Sequence, residues 1–420
     1  MMYETRVGKL DCDITTFWLL SRMGFVATKL YNTARWNAQE VWDKTGKIPS
    51  GFDLQKVVLQ SPYHDMLPAH TYQHTAHQVS MAFRSWFKLR KKDKTAQPPG
   101  FRKKSRLSSF LFTEYGFRIA KNGCILLTVA KKLRNELDYQ SKYLALHVIW
   151  GTHMPKNGRI QQLEIIPRDG FFDVHAKIQL PEPQWKTEGQ IIAIDLGERV
   201  PIASADENGN TDIFKGGKIL SDMHYWNKEK ARVGSEVMER SNGKRKWSNA
   251  LQRMSEHGNR QKDQSIHALA LTFVKLCNER NIKEVVVGDL ANIKKEKDGT
   301  GKNWRDKSSQ NWQQFPIRKL VTLLRYKLAR HGIRLIEIDE RGTSKGRCSL
   351  CSSTTNLSRV HRGLFLCGNC KTYQHADVNG ARNILHRYLH QVGKSIMGSS
   401  GSLADPMVWR WDNHTWGVVA

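Results

Sequence analysis

The sequence predicts a multidomain α+β protein, in which a β-rich module with a helical insertion precedes an α/β domain. Residues 16–90 show the apolar spacing of amphipathic helices, whereas residues 101–185 show strand-like alternation. From about residue 190, apolar strand segments alternate with long helical segments, which is typical of a sheet covered by helices. Two closely spaced cysteine pairs after residue 345 indicate a small metal-binding insertion.

In the N-terminal module, the clearest strand pattern lies at residues 172–180, where apolar and polar side chains alternate. This period of two predicts a half-buried strand. The Asp-Gly pair at 169–170 predicts a tight hairpin back to a strand at 163–166. A Pro-Pro-Gly segment at 98–100 ends the helical insertion. The simplest account of residues 1–185 is therefore an all-β module that carries a helical insertion.

The second domain begins with a near-continuous apolar run at 191–194, which predicts a central strand covered on both faces. An Asn-Gly pair at 208–209 predicts a tight hairpin. Further strand and helix segments lie at 201–205, 211–215, 222–280, 284–290, 312–331 and 333–340. Their order, β-β-β-α-β-α-β-α, predicts an α/β domain with a mixed sheet.

The chain is strongly basic, with 67 Lys and Arg against 39 Asp and Glu and a formal net charge of +28. Because each neutralised phosphate releases a counterion, an excess spread along the whole chain favours a polyanionic partner over a merely basic protein. No stretch approaches about 18 uninterrupted apolar residues, so no membrane span is expected. Residues 1–10 carry charges and lack the apolar segment of a signal peptide.

Four of the seven cysteines stand at the spacing of metal ligands. They are Cys348, Cys351, Cys367 and Cys370. Each C-x₂-C pair can form a knuckle turn, so that four thiolates close a tetrahedron around Zn²⁺. Since no ligand position is left open, we predict a structural zinc site. The scattered Cys12, Cys124 and Cys277 favour a reduced, intracellular protein over a disulfide framework.

Two carboxylates stand where a nuclease would need them. Asp195 ends the central apolar strand, and Asp377 begins a helix-like segment directly after the cysteines. Two-metal phosphodiester cleavage requires several carboxylates in one site, because two Mg²⁺ ions about 4 Å apart must be neutralised. Both residues also fit a plainer role as a helix cap or turn residue.

Short motifs in a fixed order resemble those of a known family. They lie at 194–197 (Ile-Asp-Leu-Gly), 285–290 (Val-Val-Val-Gly-Asp-Leu), 343–345 (Thr-Ser-Lys) and 376–379 (Ala-Asp-Val-Asn), and upstream at 67–68, 82–87 and 99–104. Together with the four cysteines they resemble the motifs of TnpB and the compact type V CRISPR effectors (Cas12f-like). Members of that family are RNA-guided nucleases with a RuvC domain and a zinc ribbon.

The resemblance implies an OB-like β-barrel wedge with a helical recognition insert, followed by an RNase H-like (RuvC) domain with an inserted zinc ribbon. The implied boundaries are 1–15 for a wedge strand, 16–90 for the recognition insert, 91–188 for the wedge barrel, 189–345 for the RuvC domain, 346–372 for a four-cysteine zinc ribbon that binds target nucleic acid, 373–391 for the final RuvC helix and 392–420 for a flexible tail. The tail also carries Trp409, Trp411 and Trp416, which could dock on a domain. The sequence leaves the oligomeric state open, with a homodimer as one option.

The resemblance also implies function. The partners would be a guide RNA (omega RNA or crRNA with tracrRNA) and double-stranded target DNA with a short flanking motif, and the cofactors would be two Mg²⁺ and a structural Zn²⁺. The place of action would be the nucleoid in the cytoplasm of a bacterium or archaeon, or of a phage-infected cell. Three alternatives stay open: a nuclease-dead RNA-guided repressor, a guide-independent transposase-associated nuclease, and a zinc-ribbon DNA-binding factor without catalysis.

One departure from the family pattern concerns the second motif. The family usually has Glu where this chain has Gly288. The adjacent Asp289 does not simply replace it, because neighbouring strand residues point to opposite faces. Asp289 as a metal ligand and loss of cleavage both remain open.

The next strand offers a relocated glutamate. Ile336, Ile338 and Glu340 share one face by alternation, and in an RNase H-like sheet this strand lies beside that of the second motif. We therefore predict Asp195, Glu340 and Asp377 as the magnesium ligands and catalytic residues.

Basic and amide side chains give the candidate nucleic-acid contacts. These are Gln73, His74, His77, Gln78, Arg102, Lys103, Lys104, Arg106 and Arg325. Amides on the recognition helix can pair with adenine, the basic loop after residue 100 can contact the RNA backbone, and Arg325 can line the nuclease groove. The alternative is an ordinary solvated helix face and a solvated basic loop.

Overall fold

A computed structural model describes residues 2–91, 93–103, 105–151, 154–155, 157–244, 247–289, 314–339, 346–361, 363–394, 405–412 and 414–419. The chain divides into two compact units, Met1–Glu182 and Pro183–Ala420. The sequence predicted a change of pattern near residue 190, close to this division. In the described ranges, no helix has both the length and the apolar character that crossing a membrane requires.

The first unit consists of an antiparallel sheet with three helices inserted after its first strand. Its elements are β1 Met2–Asp11, α1 Ile14–Thr45, α2 Gly51–Leu59, a 3₁₀ turn His64–Met66, α3 Ala69–Arg90, β2 Phe110–Thr113, β3 Phe117–Ile119, β4 Ile125–Thr128, α4 Lys131–Glu136, β5 Tyr143–Trp150, β6 Arg159–Pro167 and β7 Phe172–Leu180. The strand order is β2-β6-β7-β1-β5-β4-β3. The predicted all-β module with a helical insertion is therefore confirmed.

Helices and sheet of this unit share one core. The Asp13 carboxylate caps α1 by accepting from the backbone N–H of Thr16 at 2.7 Å. Leu19 and Met23, four residues apart, share one buried face and lie in the same cluster as Phe83 of α3. The predicted hairpin between β6 and β7 is also confirmed, and Gly170 in its turn has a φ of +82°, which glycine adopts without strain.

The second unit holds a mixed sheet. Its elements are β8 Gln190–Asp195, β9 Ile202–Asp206, β10 Thr211–Phe214, α5 Gly217–Arg240, α6 Asn249–Glu279, β11 Ile282–Gly288, α7 Ile317–Ala329, β12 Arg334–Ile338, β13 Leu357–His361, β14 Leu364–Cys367, β15 Thr372–His375, α8 Ala376–Gln391, β16 Met407–Asp412 and β17 Thr415–Val419. The main sheet has the order β12-β11-β8-β9-β10-β16-β17, and β13-β14-β15 form a separate small sheet. β8 pairs parallel with β11 and antiparallel with β9, as the predicted mixed sheet requires.

The two faces of the main sheet carry separate cores. Ile191 and Ala193 of β8 pack with α8, whereas Ile192 and Ile194 pack with α6 and α7. This alternation confirms that β8 is a central strand covered on both faces, and it explains its near-continuous apolar sequence. Residues that follow Ile191 and Ala193 in alternation are thus expected to face α8.

The C-terminal segment differs from its prediction. Residues 392–420 were expected to form a flexible tail, but β16 and β17 form a hairpin on the main sheet, with β16 parallel to β10. Trp409 stacks on Phe214 with 5.2 Å between ring centroids, and Trp416 is 3% exposed. The apolar area that these rings bury stabilises this hairpin.

A buried ion pair fixes this end of the sheet. Arg280 donates through its two terminal nitrogens to both carboxylate oxygens of Asp212, at 2.7 Å and 3.0 Å, and the Trp409 indole N–H donates to Asp212 at 3.0 Å. The Asp212 side chain is fully buried. Bidentate geometry and complete burial make this pair different from a surface ion pair.

We expect Arg280→Met to lower the free energy of unfolding of the second unit by about 3–5 kcal/mol, because the Asp212 carboxylate stays buried without its cation. The melting temperature, followed by circular dichroism, should fall by roughly 10 °C. The matched control is Arg232→Met, which removes exposed pairs with Glu229 and Glu236 and should leave the melting temperature nearly unchanged. Equal melting temperatures for the two variants would contradict this reading of the pair.

Candidate functional site

Asp195 lies at the end of β8 on the face that α8 covers. It continues the alternation of Ile191 and Ala193, which pack against α8. Its side chain is partly exposed, and β8 is flanked at this end by β9 and β11. A carboxylate at a strand end, above an apolar core and open to solvent, is well placed to bind a cation.

Gly380 lets the Asp195 carboxylate rest directly on α8. A Cβ atom at Gly380 would lie 2.3 Å from Asp195 Oδ2, so any larger residue would displace the carboxylate. Asp377 is three residues earlier on the same helix, and positions i and i+3 share a face about 5–6 Å apart. The structure therefore brings Asp195 beside the first turn of α8, where Asp377 stands.

Arg359 contacts the Asp377 carboxylate, and His375 contacts the Asp377 backbone. Arg359 of β13 donates to Asp377 Oδ1 at 3.4 Å, and the ring nitrogen of His375 accepts the backbone N–H of Asp377 at 3.3 Å. Burial lowers the pKa of His375 even though Asp377 acts in the opposite direction. His375 therefore favours the neutral form, in which this nitrogen can accept the hydrogen bond from the Asp377 backbone N–H and cap the helix.

The sheet also defines the position of Gly288, where the family usually has a glutamate. Gly288 pairs with Ile338 of β12, and Val287 pairs with Ile194 of β8. Val286 packs on the α8 side, so alternation places Gly288 on the same side as Asp195. Asp289 follows the strand, and its backbone N–H donates to the Ile338 carbonyl at 2.6 Å. Glu340 and the Thr-Ser-Lys motif at 343–345 lie outside the described residues.

The four cysteines predicted as zinc ligands come together. Their sulfur atoms all lie within 4.8 Å of one another, with 3.8 Å between Cys348 and Cys370 and 3.5 Å between Cys351 and Cys367. Tetrahedral Zn²⁺ with Zn–S distances of about 2.3 Å requires sulfurs about 3.8 Å apart. The donors and their spacing therefore fit a zinc ion. Hydrogen bonding from the Cys370 backbone N–H lowers the pKa of Cys367 to about 7, whereas burial raises the pKa of Cys348 to about 12, so zinc binding at this cluster would release a proton from Cys348.

Several predicted nucleic-acid contacts are engaged within the first unit. The His77 ring packs edge-on against Phe52, and Arg102 both donates to Gln78 Oε1 at 3.1 Å and stacks over a tyrosine ring. Burial lowers the pKa of His74. Gln73 is partly exposed, Lys103 and Arg106 are exposed, and Lys104 lies outside the described residues. Lys103 and Arg106 are thus the members of the set best placed to meet an RNA backbone.

Arg325 lies on the other side of the second unit's sheet from Asp195. It belongs to α7, whose apolar side packs with Ile192 and Ile194, and it forms an ion pair with Glu337. The structure therefore does not bring Arg325 together with Asp195 and Asp377.

Sequence analysis missed Gly380 as part of the site. A glycine inside a helix costs about 1 kcal/mol relative to alanine, and that cost is a signal that something approaches the helix closely. Here the group that approaches is the Asp195 carboxylate.

The pH dependence of stability should report on the same helix. Burial, with Arg347 and Arg382 nearby, lowers the pKa of His386 to about 4. The unfolded chain binds this proton near pH 6.5, so stability is complete above about pH 6.5 and falls as the pH drops towards 4. Between pH 7.5 and pH 5, we expect the melting temperature of His386→Gln to fall less than that of the natural chain. Parallel curves for the two proteins would contradict this.

Two family models match parts of the chain. The family model described as "Cas12f1-like, TNB domain" matches residues 318–384, and the model described as "Probable transposase" (OrfB_IS605) matches residues 173–294. The TnpB-like protein ORF457 of Acidianus two-tailed virus is 22% identical over 395 residues, which cover 88% of this chain and 83% of that protein.

Two further likenesses concern Cas12f1 proteins. The CRISPR-associated endodeoxyribonuclease Cas12f1 of Sulfoacidibacillus thermotolerans is 29% identical over 126 residues, which cover 29% of this chain and 26% of that protein. A chain in the solved Cas12f1–sgRNA–target DNA complex has a similar fold, with a TM-score of 0.55 at 14% identity over 88% of this chain and 81% of that one. The multidomain mixed α/β fold is thus shared with a Cas12 effector. These matches support a place for the chain in a TnpB/Cas12f-like family.

Proposed function

We propose that the protein is an RNA-guided DNA endonuclease. It binds a guide RNA, recognises a short DNA motif, and hydrolyses target DNA at a RuvC-type site. The observation that carries the proposal is the contact of the Asp195 carboxylate with Gly380, one helical turn from Asp377. The names of the relatives, a TnpB-like protein and a Cas12f1 endodeoxyribonuclease, favour the same activity.

The proposed metal ligands are Asp195, Asp377 and, from the sequence pattern, Glu340. Carboxylate oxygens suit Mg²⁺, and the two aspartates of the described part are both partly exposed, so the donor set fits this ion. Mg²⁺ ions held by these carboxylates would supply Lewis-acid chemistry, activating water and stabilising a leaving oxygen. The protein contributes a rigid strand end and a helix start, which hold the two aspartates in fixed relative positions.

The proposed partners follow from charge and from the family. A net charge of +28 supplies the electrostatic attraction that an RNA guide and a DNA duplex require. Lys103 and Arg106 are proposed to contact RNA phosphates, whereas Gln73 and His74 of α3 remain candidates for base contacts. The four-cysteine site is proposed to hold a structural zinc that shapes the nucleic-acid-binding sheet β13-β14-β15.

The test begins with RNA that copurifies with the full chain. We expect sequencing to return one structured RNA. When the guide segment of this RNA is changed to match a new target, the protein should cleave that target in Mg²⁺ but not in EDTA. Cleavage of DNA after RNA removal would favour a guide-independent nuclease instead. Guide-dependent binding without cleavage would favour an RNA-guided repressor.

A further inference from the structure

A buried amide group joins the first cysteine knuckle to the helix that carries Asp377. Asn379 of α8 is completely buried. Its Oδ1 accepts from the backbone N–H of Ser349 at 2.8 Å and from Gln374 Nε2 at 3.0 Å, and its Nδ2 donates to the Arg347 carbonyl at 3.1 Å. The peptide groups on both sides of Cys348 are therefore bound by one side chain.

Two neighbouring amides complete this arrangement. Asn383, one turn further along α8, donates to the same Arg347 carbonyl at 2.8 Å. Gln374 accepts from the Ser349 hydroxyl at 3.1 Å and places its amide nitrogen 3.8 Å from Cys348 Sγ. We call Asn379, Gln374 and Asn383 the amide clamp. Because the clamp holds the backbone on either side of Cys348, it also fixes where the sulfur points.

We propose that Asn379 is a positioning residue that sets Cys348 for zinc binding and, in return, ties the first turn of α8 to the occupied zinc site. The proposal rests on the zinc site proposed above and not on nuclease activity. Without zinc, no metal bond keeps Cys348 and its flanking peptides in place. The amide clamp then loses its hydrogen-bond partners on those peptides. By thermodynamic linkage, if the amide clamp strengthens zinc binding, then zinc binding stabilises the hydrogen bonds of the clamp.

The first test measures zinc affinity of the full chain by competition with a chromophoric chelator. We expect Asn379→Leu to weaken zinc binding by about 10–100-fold, the range for partners that orient metal ligands. The matched control is Leu389→Ala, which removes a buried side chain from the far end of α8, away from the knuckle. It should destabilise the helix while its zinc affinity stays within about threefold of the natural chain. Equal zinc affinity in Asn379→Leu and the natural chain would overturn the proposal.

The second test measures hydrogen exchange of the first two turns of α8 with and without chelator. In the natural chain, we expect zinc removal to increase exchange there more than in β8. Asn379→Asp, a smaller change that keeps the acceptor for Ser349 and loses the donor to Arg347, should exchange faster even with zinc bound. Exchange in α8 that does not respond to zinc removal would overturn the coupling. Neither readout involves DNA cleavage, so an inactive nuclease would overturn the proposed function and leave this proposal standing.

Discussion

Replacing either Asp195 or Asp377 by Asn is expected to reduce guide-directed DNA cleavage by about 10³-fold or more. Each carboxylate is a proposed metal ligand, and the metals supply several kcal/mol of transition-state stabilisation, at about 1.36 kcal/mol per factor of ten in rate. Asn keeps the shape of the side chain, so the contact with Gly380 persists while the negative charge is lost. Single-turnover cleavage with saturating guide RNA measures the effect.

The matched control is Asp289→Asn. Asp289 follows β11 beyond Gly288, and alternation turns it away from the face that Asp195 shares. We expect cleavage by this variant to stay within about threefold of the natural chain. Binding of guide RNA and target DNA should be unchanged in all three variants, because the carboxylates contribute to the chemical step. Full cleavage by Asp377→Asn would contradict the proposal that Asp377, at the start of α8, is a metal ligand.

A fourth substitution tests the close approach of the Asp195 carboxylate to α8. Gly380→Ala places a methyl group where the Asp195 carboxylate now lies. We expect Gly380→Ala to weaken cleavage, as the two aspartate variants do, because the methyl group displaces the Asp195 carboxylate without removing any charge. Its measurement is the same single-turnover assay.

Sequence prediction agrees with the structure where a local pattern decides the geometry. The apolar run before Asp195 predicted a central strand covered on both faces, and the structure places α8 on one face and α6 and α7 on the other. The C-x₂-C spacing likewise predicted four sulfurs that the structure brings within 4.8 Å of one another. In both cases neighbours in sequence decide the geometry, so no long-range contact had to be known.

Prediction failed where distant segments decide the outcome. The Gly/Ser-containing stretch after residue 392 suggested flexibility, but β16 is ordered by pairing with β10 and by the stacking of Trp409 on Phe214. The three tryptophans were the available signal, because rings of that size are usually buried. In the same way, nothing near Gln78 in sequence indicates that Arg102 donates to it.

The strongest remaining prediction concerns Glu340. Gly288 leaves the α8 face of β11 without its usual glutamate, and its partner across the sheet is Ile338. Ile336 and Ile338 pack on that face, and Glu340 stands two residues further in the sequence, in phase with them. We propose that Glu340, which follows β12 in the sequence, restores the third carboxylate.

We therefore expect Glu340→Gln to lower single-turnover cleavage by about 10³-fold, since a neutral amide cannot balance the charge of two Mg²⁺ ions. The matched control is Glu337→Gln, which loses an ion pair with Arg325 on the opposite face and should cut within about threefold of the natural chain. Full cleavage by Glu340→Gln together with loss in Asp289→Asn would transfer the third ligand to Asp289. If the natural chain binds its guided target without cutting it, then Gly288 marks a lost ligand that Glu340 does not replace.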